Sequence, residues 1–231
     1  MEYFFYKGID SRTVKGVVVT ELPPIAKPKL RVQTTTIDGK DGSIVTPLGY
    51  EAYPKTLKIG LTRGFDIDNI IAWLSGSGML QMSNEIDKYY NAQIIEQIDY
   101  EKLLRFRTAT VKFLVQPFKY SSVERMKTFT TTGLSSIEIR NAGNVVAKPL
   151  VTFYGTGVIN VSLNGLQKFT LNFGNDTAIT LDSVEQEAYN GNVLKNRQMD
   201  GDFLELAVGK NTITWTGSVD EIEITHFSRW L

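Results

Sequence analysis

A chain of 231 residues accommodates one or two domains with real cores, and 42% apolar with 22% charged residues is ordinary globular composition. The 25 Lys plus Arg cancel the 25 Asp plus Glu, which disfavours a dedicated nucleic-acid binder with its basic surplus and leaves little repulsion against self-association. The absence of cysteine excludes disulfides, thiol nucleophiles and Cys-based metal sites. Apolar runs of only a few residues exclude a helical membrane span, and MEYFFYKGIDSR lacks the order of a signal peptide.

In chain order, the β-branched run 15–20 predicts a strand. Pro23, Pro24 and Pro28 make a stiff exposed connection, and 30–36 reads as a second strand. Asp38-Gly39-Lys40-Asp41-Gly42 is a tight turn; its carboxylates lack the alternate spacing over a dozen residues that a calcium loop needs. After a short strand at 58–61 comes one helix near 67–75. Asp66 caps it, Asp68 suits the dipole, and Ile67, Ile70, Ile71 and Leu74 share one face. Gly76 and Gly78 are expected to end it. Strands are expected at 79–82 and 89–97. A clearer one spans 107–117, where Ala109, Val111, Phe113 and Val115 alternate with polar residues and Pro117 closes the run. Residues 121–132 look like a polar bridge.

Asn141 to Gly157 reads as the joint of the chain: a turn, Lys148-Pro149, a strand at 150–154, and a second turn at Gly155-Thr156-Gly157. It is either a boundary or the first strand of a second domain. Beyond it the alternation sharpens. Ile159, Val161 and Leu163 precede Asn164-Gly165, a strong hairpin signal, and Phe169, Leu171 and Phe173 return. Further strands are expected around Ile179 and Leu181, before Asn190-Gly191, over 203–208, around Ile213 and Trp215, and around Ile222 and Ile224, with a turn at Gly209-Lys210-Asn211. Short strands at this spacing mean a sandwich or jelly roll.

The search for chemistry returns little. His226, the one histidine, shares a strand face with Ile222 and Ile224 and reads as a packing residue. No G-x-S-x-G elbow exists. Asp200 and Asp202 flank Gly201 in a turn, Gly76-Ser77-Gly78 follows a helix rather than opening one, and Arg105, Phe106 and Arg107 read as a strand with one charged face. Trp73, Trp215, Trp230 and Tyr154 offer rings for sugar stacking or, more commonly, core filling. No catalytic, cofactor-binding or metal-ligating residue is assigned.

Several segments together resemble the distal tail proteins of long, non-contractile-tailed bacteriophages. These are the glycine turn Ile37-Asp38-Gly39-Lys40-Asp41-Gly42-Ser43 and the joint through Lys148-Pro149 to Tyr154-Gly155-Thr156-Gly157. Near the end come Leu181-Asp182-Ser183, Gln186, Ala188-Tyr189, Gly201-Asp202-Phe203-Leu204-Glu205-Leu206 and Gly209-Lys210-Asn211-Thr212-Ile213. The resemblance implies a mainly β chain with one short helix: an N-terminal ring-forming domain over 1–126 and a C-terminal galectin-like β-sandwich over 127–231. It further implies a virion protein without enzymatic activity or cofactor. Such a protein forms a hexameric ring that joins tail tube protein to tail-tip proteins, anchors receptor-binding proteins and lets DNA pass as cargo. Val17 to Val19 with the Pro-rich segment is one expected ring contact. The alternative is a carbohydrate-binding module for host glycans, expected to carry an aromatic groove within 141–231; a hydrolase is the third reading.

Overall fold

The computed structural model describes residues 2–96, 98, 104–124 and 126–231. The chain divides into two compact units: one runs to Ser122 and includes Leu231, the other is Val123–Trp230. Residues 141–157 therefore lie inside the second unit rather than at the division.

The first unit contains strands β1 (Phe4–Tyr6), β2 (Ile9–Asp10), β3 (Val17–Glu21), β4 (Leu30–Thr35), β5 (Ile44–Tyr50), β6 (Tyr53–Leu61), β7 (Ser77–Met82), β8 (Lys88–Gln93) and β9 (Thr108–Ser121). Helix α1 (Ile67–Trp73) sits between β6 and β7. Strands β4 and β5 pair only with each other; the rest form an antiparallel sheet in the order β2-β1-β7-β8-β9-β6-β3. The alternation expected in β9 is real: Ala109, Val111, Phe113 and Val115 point into the core. Pro117 does not close the strand. Pairing with β6 stops at Val115, and β8 bulges between Tyr90, opposite Lys119, and Ala92, opposite Val115. No regular ladder bond is therefore asked of the proline's missing N–H.

Asp66 Oδ1 caps α1 by accepting from the Asn69 amide at 3.3 Å. The buried stripe is Ile70, Trp73 and Leu74 with Ile67 partly covered, whereas Ile71 points outward. Trp73 displaces it because its ring stacks on Phe4 at 5.2 Å and its Nε1 donates to the Tyr6 carbonyl at 3.1 Å. Gly78 belongs to β7 rather than to the helix end. Residues 104–106 make a helical turn, not the expected charged strand, and the Arg107 guanidinium lies 4.9 Å from the Phe65 ring centre. The strand expected at 89–97 ends at Gln93; Gln97 is outside the described residues.

The second unit contains β10 (Lys127–Thr130), β11 (Ser136–Asn141), β12 (Leu150–Leu163), β13 (Leu166–Asn172), β14 (Ala178–Asp182), β15 (Glu187–Asn190), β16 (Val193–Leu194), β17 (Met199–Gly201), β18 (Gly209–Thr225) and β19 (Arg229–Trp230). Two long strands, β12 and β18, pair along their length and bend together, so their halves lie in different layers. The first half of β12 pairs with β14 and the end of β18, alongside β10, β15 and β16. The second half pairs with β13 and the start of β18, alongside β11 and β17. Between these layers lie Val151, Phe153, Ile159, Val161, Phe169, Leu171, Ile213 and Ile222, all buried.

The bend explains a misread signal. Gly155-Thr156-Gly157 reverses nothing; the chain stays in β12. Glycine is needed because a Cβ on Gly155 would stand 2.2 Å from the Ser218 carbonyl oxygen, and one on Gly217, at φ 96°, 2.5 Å from that of Val158. For the same reason Ile213, Trp215, Ile222 and Ile224 belong to one strand, not two. Asn164 and Gly165 adopt φ 53° and 82°, the expected hairpin turn. Two expectations fail near the end. Residues 203–208 alternate, with Leu204 and Leu206 buried, but make only the single bridge Ala147–Leu206. Gly209-Lys210-Asn211 is the start of β18, paired with Ile139, Arg140 and Asn141. The Asn211 side chain takes over the turn's bonding, accepting from the Ala207 amide at 2.9 Å and donating to its carbonyl at 2.8 Å.

Candidate functional site

Two buried polar clusters contain the residue types of an active site. In the second unit Ser228, His226 and Glu124 converge. The Ser228 hydroxyl donates to Glu124 Oε1 at 2.6 Å and accepts from the Ala142 amide at 2.8 Å. His226 Nε2 lies 3.1 Å from the Arg140 carbonyl and 3.7 Å from Glu124 Oε1. Both residues are buried, and the serine is held by carboxylate and amide, not by the imidazole. This is a strut, not an activated nucleophile. His226 is thus the packing residue its strand phase implied.

In the first unit Glu85 is buried between Lys119 Nζ at 2.7 Å and the Tyr90 hydroxyl at 2.9 Å. Lys55 lies over the Tyr90 ring at 4.9 Å. Burial pushes the Lys55 ammonium below its ordinary range and the Tyr53 and Tyr90 phenols above theirs. The cluster holds a neighbouring segment: Lys55 Nζ donates to the Pro24 carbonyl at 3.1 Å, Tyr53 to that of Ala26 at 3.2 Å, and Asn84 to that of Pro23 at 3.2 Å.

That segment is the root of the β4–β5 hairpin. Leu30, Val32 and Thr34 face the same way as their cross-strand partners Tyr50, Pro47 and Val45; Arg31, Gln33 and Thr35 with Gly49, Thr46 and Ile44 occupy the other face. One face is thus largely apolar; at its root the Tyr50 ring meets Phe118 edge-on at 5.9 Å, and farther out Val32 is 44% exposed and Val45 55%. An isolated two-stranded hairpin is marginal in water. The root of the hairpin is clamped and the outer part of its apolar face is exposed. Val17 and Val19, the expected ring contact, are instead buried in the core of their own unit; the Pro-rich segment beside them leads into the arm.

Core filling, the favoured reading of these rings, holds for two of them. Trp73 and Trp215 are buried, and the Tyr154 hydroxyl donates to Glu223 Oε2 at 3.0 Å. Among the described residues no group of three His, Cys, Asp or Glu side chains is placed to hold a metal, and no helix is long and apolar enough to cross a membrane.

The fold just described, an antiparallel unit followed by a bent-strand β-sandwich, recurs in solved structures. The chain matches the SPP1 Dit (gp 19.1) protein, described as a paradigm of the hub adsorption apparatus in phages infecting Gram-positive bacteria. The TM-score is 0.74 at 17% identity, over 100% of both chains. It also matches chains of the phage p2 baseplate in its activated conformation, with Sr (TM-score 0.53, 10% identity, 96% of this chain and 98% of that one) and with Ca (0.52, 9%, 97% and 97%). At such identities the likeness establishes a shared fold. No known family's sequence pattern matches the chain, and no curated protein does.

Proposed function

We propose that this chain is a structural hub of a phage tail tip or baseplate, a virion component that assembles with copies of itself and with other tail proteins. The observation that carries the reading is the fold shared along the whole chain with SPP1 Dit, joined to an arm whose outer apolar residues Val32 and Val45 are exposed. In the finer reading, residues 1–126 close a hexameric ring and residues 127–231 form an outer, galectin-like domain that anchors receptor-binding proteins. The ring joins tail tube to tip, and DNA passes through it as cargo. A closed ring needs two different patches on each subunit; the β4–β5 arm supplies one, laid on the neighbouring copy. A photo-crosslinking residue at position 45 should yield chain-to-chain adducts and a ladder ending at the ring. Adducts only within one chain, in material that electron microscopy shows to be assembled, would remove the arm from the contact.

A further inference from the structure

A ring of identical subunits needs an acceptor for each arm, and the first unit contains a recess with matching chemistry. A cavity of about 530 Å³ opens between α1, the β1–β2 turn and the connection at 13–15. Ile9, Val14, Ala72 and Trp73 give it an apolar lining, and Lys7 and Lys15, both exposed, stand in it. Lys7 occupies the two-residue β1–β2 turn at φ 54°, ahead of Gly8 at 79°, a left-handed pair that Asn-Gly fills at lower cost. Its ammonium donates to the Ser75 carbonyl at 3.3 Å, and neither lysine has an ion-pair partner among the described residues. Asp66, the one carboxylate in the lining, is turned to α1: it accepts from the Asn69 amide at 3.3 Å and from the Asn69 side chain at 2.6 Å. The recess therefore carries a surplus of positive charge over an apolar floor.

The end of the arm is its complement. The turn between β4 and β5 is closed by the Lys40 amide, which donates to the Ile37 carbonyl at 3.1 Å. Ile37 is 49% exposed and Ile44 45%. Asp38 and Asp41 are exposed too, with no ion-pair partner among the described residues. Two isoleucines beside two carboxylates match an apolar floor beside two ammonium groups. Placement agrees with chemistry. Strand β3 runs from the recess, next to Lys15, to the arm root beyond Glu21; β6 returns from Tyr53 at the root to Leu61, paired with Val17. The nine residues of β6, at about 3.3 Å per step, put roughly 26 Å between arm root and recess. Two different patches at opposite ends of one strand pair suit head-to-tail closure, whereas a single shared patch would pair copies two by two. We infer that the tip of the β4–β5 arm, residues 37–44, docks in the α1–β2 recess of the next copy, with Asp38 and Asp41 meeting Lys7 and Lys15. This contact rests on the ring reading and gives the arm its receiving surface.

The chain has no cysteine, so engineered thiols report without background. Full-length Ala72→Cys is mixed with full-length Ile37→Cys, and in a second sample with Ile44→Cys, under mild oxidation. A disulfide forms only where Cα atoms come within about 4–7 Å, and it traps even transient encounters. At least one mixture should give the tip-to-recess heterodimer, identified by mass spectrometry of the linked peptides. In parallel, Lys15→Glu, and separately Asp38→Lys with Asp41→Lys, should each weaken self-association about 10-fold in sedimentation. All three changes in one chain should restore it to within about 3-fold, a recovery that misfolding cannot produce. The substituted positions are exposed within the chain, so melting should not change. Neither mixture linking in material that sedimentation shows to be associated, arm-to-arm disulfides in place of the heterodimer, or no recovery in the combined variant would each overturn the contact and leave the hub reading standing. A chain that stays monomeric and unlinked would overturn both. Linkage by a protein that labelled tails place away from the tip would keep the contact and remove the hub.

Discussion

Glu85→Ala is the most informative single perturbation of the first unit. Glu85 and Lys119 are both almost fully buried, with Nζ and Oε1 2.7 Å apart. At an effective dielectric near 20 that contact is worth about 6 kcal/mol of gross attraction, most of it offset by the desolvation of two charges. The pair therefore adds little net stability, but removing one member leaves the other buried and uncompensated, which costs about 3–5 kcal/mol. The Tyr90 hydroxyl loses its acceptor in the same step. Against a domain stability of roughly 5–15 kcal/mol, this is a large fraction. Native-state hydrogen exchange by mass spectrometry reads the two units separately. Protection in β8 and β9 should fall by the corresponding amount, while that in β12 and β18 stays put. The double variant Glu85→Leu with Lys119→Met should recover part of the loss, because Lys119 is no longer buried as an unpaired charge and no longer repels Lys55, the remaining buried ammonium beside Glu85. A loss below about 1 kcal/mol for Glu85→Ala, or an equal loss in the double variant, would show that Lys119 does not depend on its buried partner.

Other expectations follow from the same geometry. Replacing Val32 and Val45 by Lys should abolish self-assembly while leaving the melting of both units unchanged, checked by light scattering and calorimetry, since both side chains are exposed within the chain. Gly155→Ala should destabilise the second unit by about 3 kcal/mol in urea unfolding, because its Cβ meets a backbone oxygen at 2.2 Å that no rotamer change can move. Burial raises the Tyr6, Tyr53 and Tyr90 phenols above 10.0, so unfolded phenols ionise first and stability should fall as pH climbs above that value. Burial lowers Lys55 below 10.5, so its contribution to stability rises with pH up to that value. Lys55→Met should remove the rise and keep the fall, as followed by the urea midpoint against pH.

What could be read from the sequence depended on whether a segment packs against something. Strand β9 was legible because one face meets the core at every second residue. Strand β5 was not: Pro47 and Gly49 break its propensity, and without a core beneath it there is no burial to impose a pattern. The glycines at 155 and 157 announced an unusual backbone but not that the ladder resumes beyond it. The buried charges did leave a trace. Lys119 continues the inward phase of Val111, Phe113 and Val115, and Lys55 that of Leu57 and Ile59, so two lysines stood at core positions of adjacent strands. Glu85, in a 3₁₀ turn between β7 and β8, has no periodic signal and was findable only in three dimensions.

Under the proposed function, copies of this chain close around a pore at the end of a phage tail. Electron microscopy of tails carrying a label fused to this protein tests it directly. Several copies of the label should stand with rotational symmetry at the distal end of the tube; label elsewhere on the particle, or a single copy per tail, would rule the ring out.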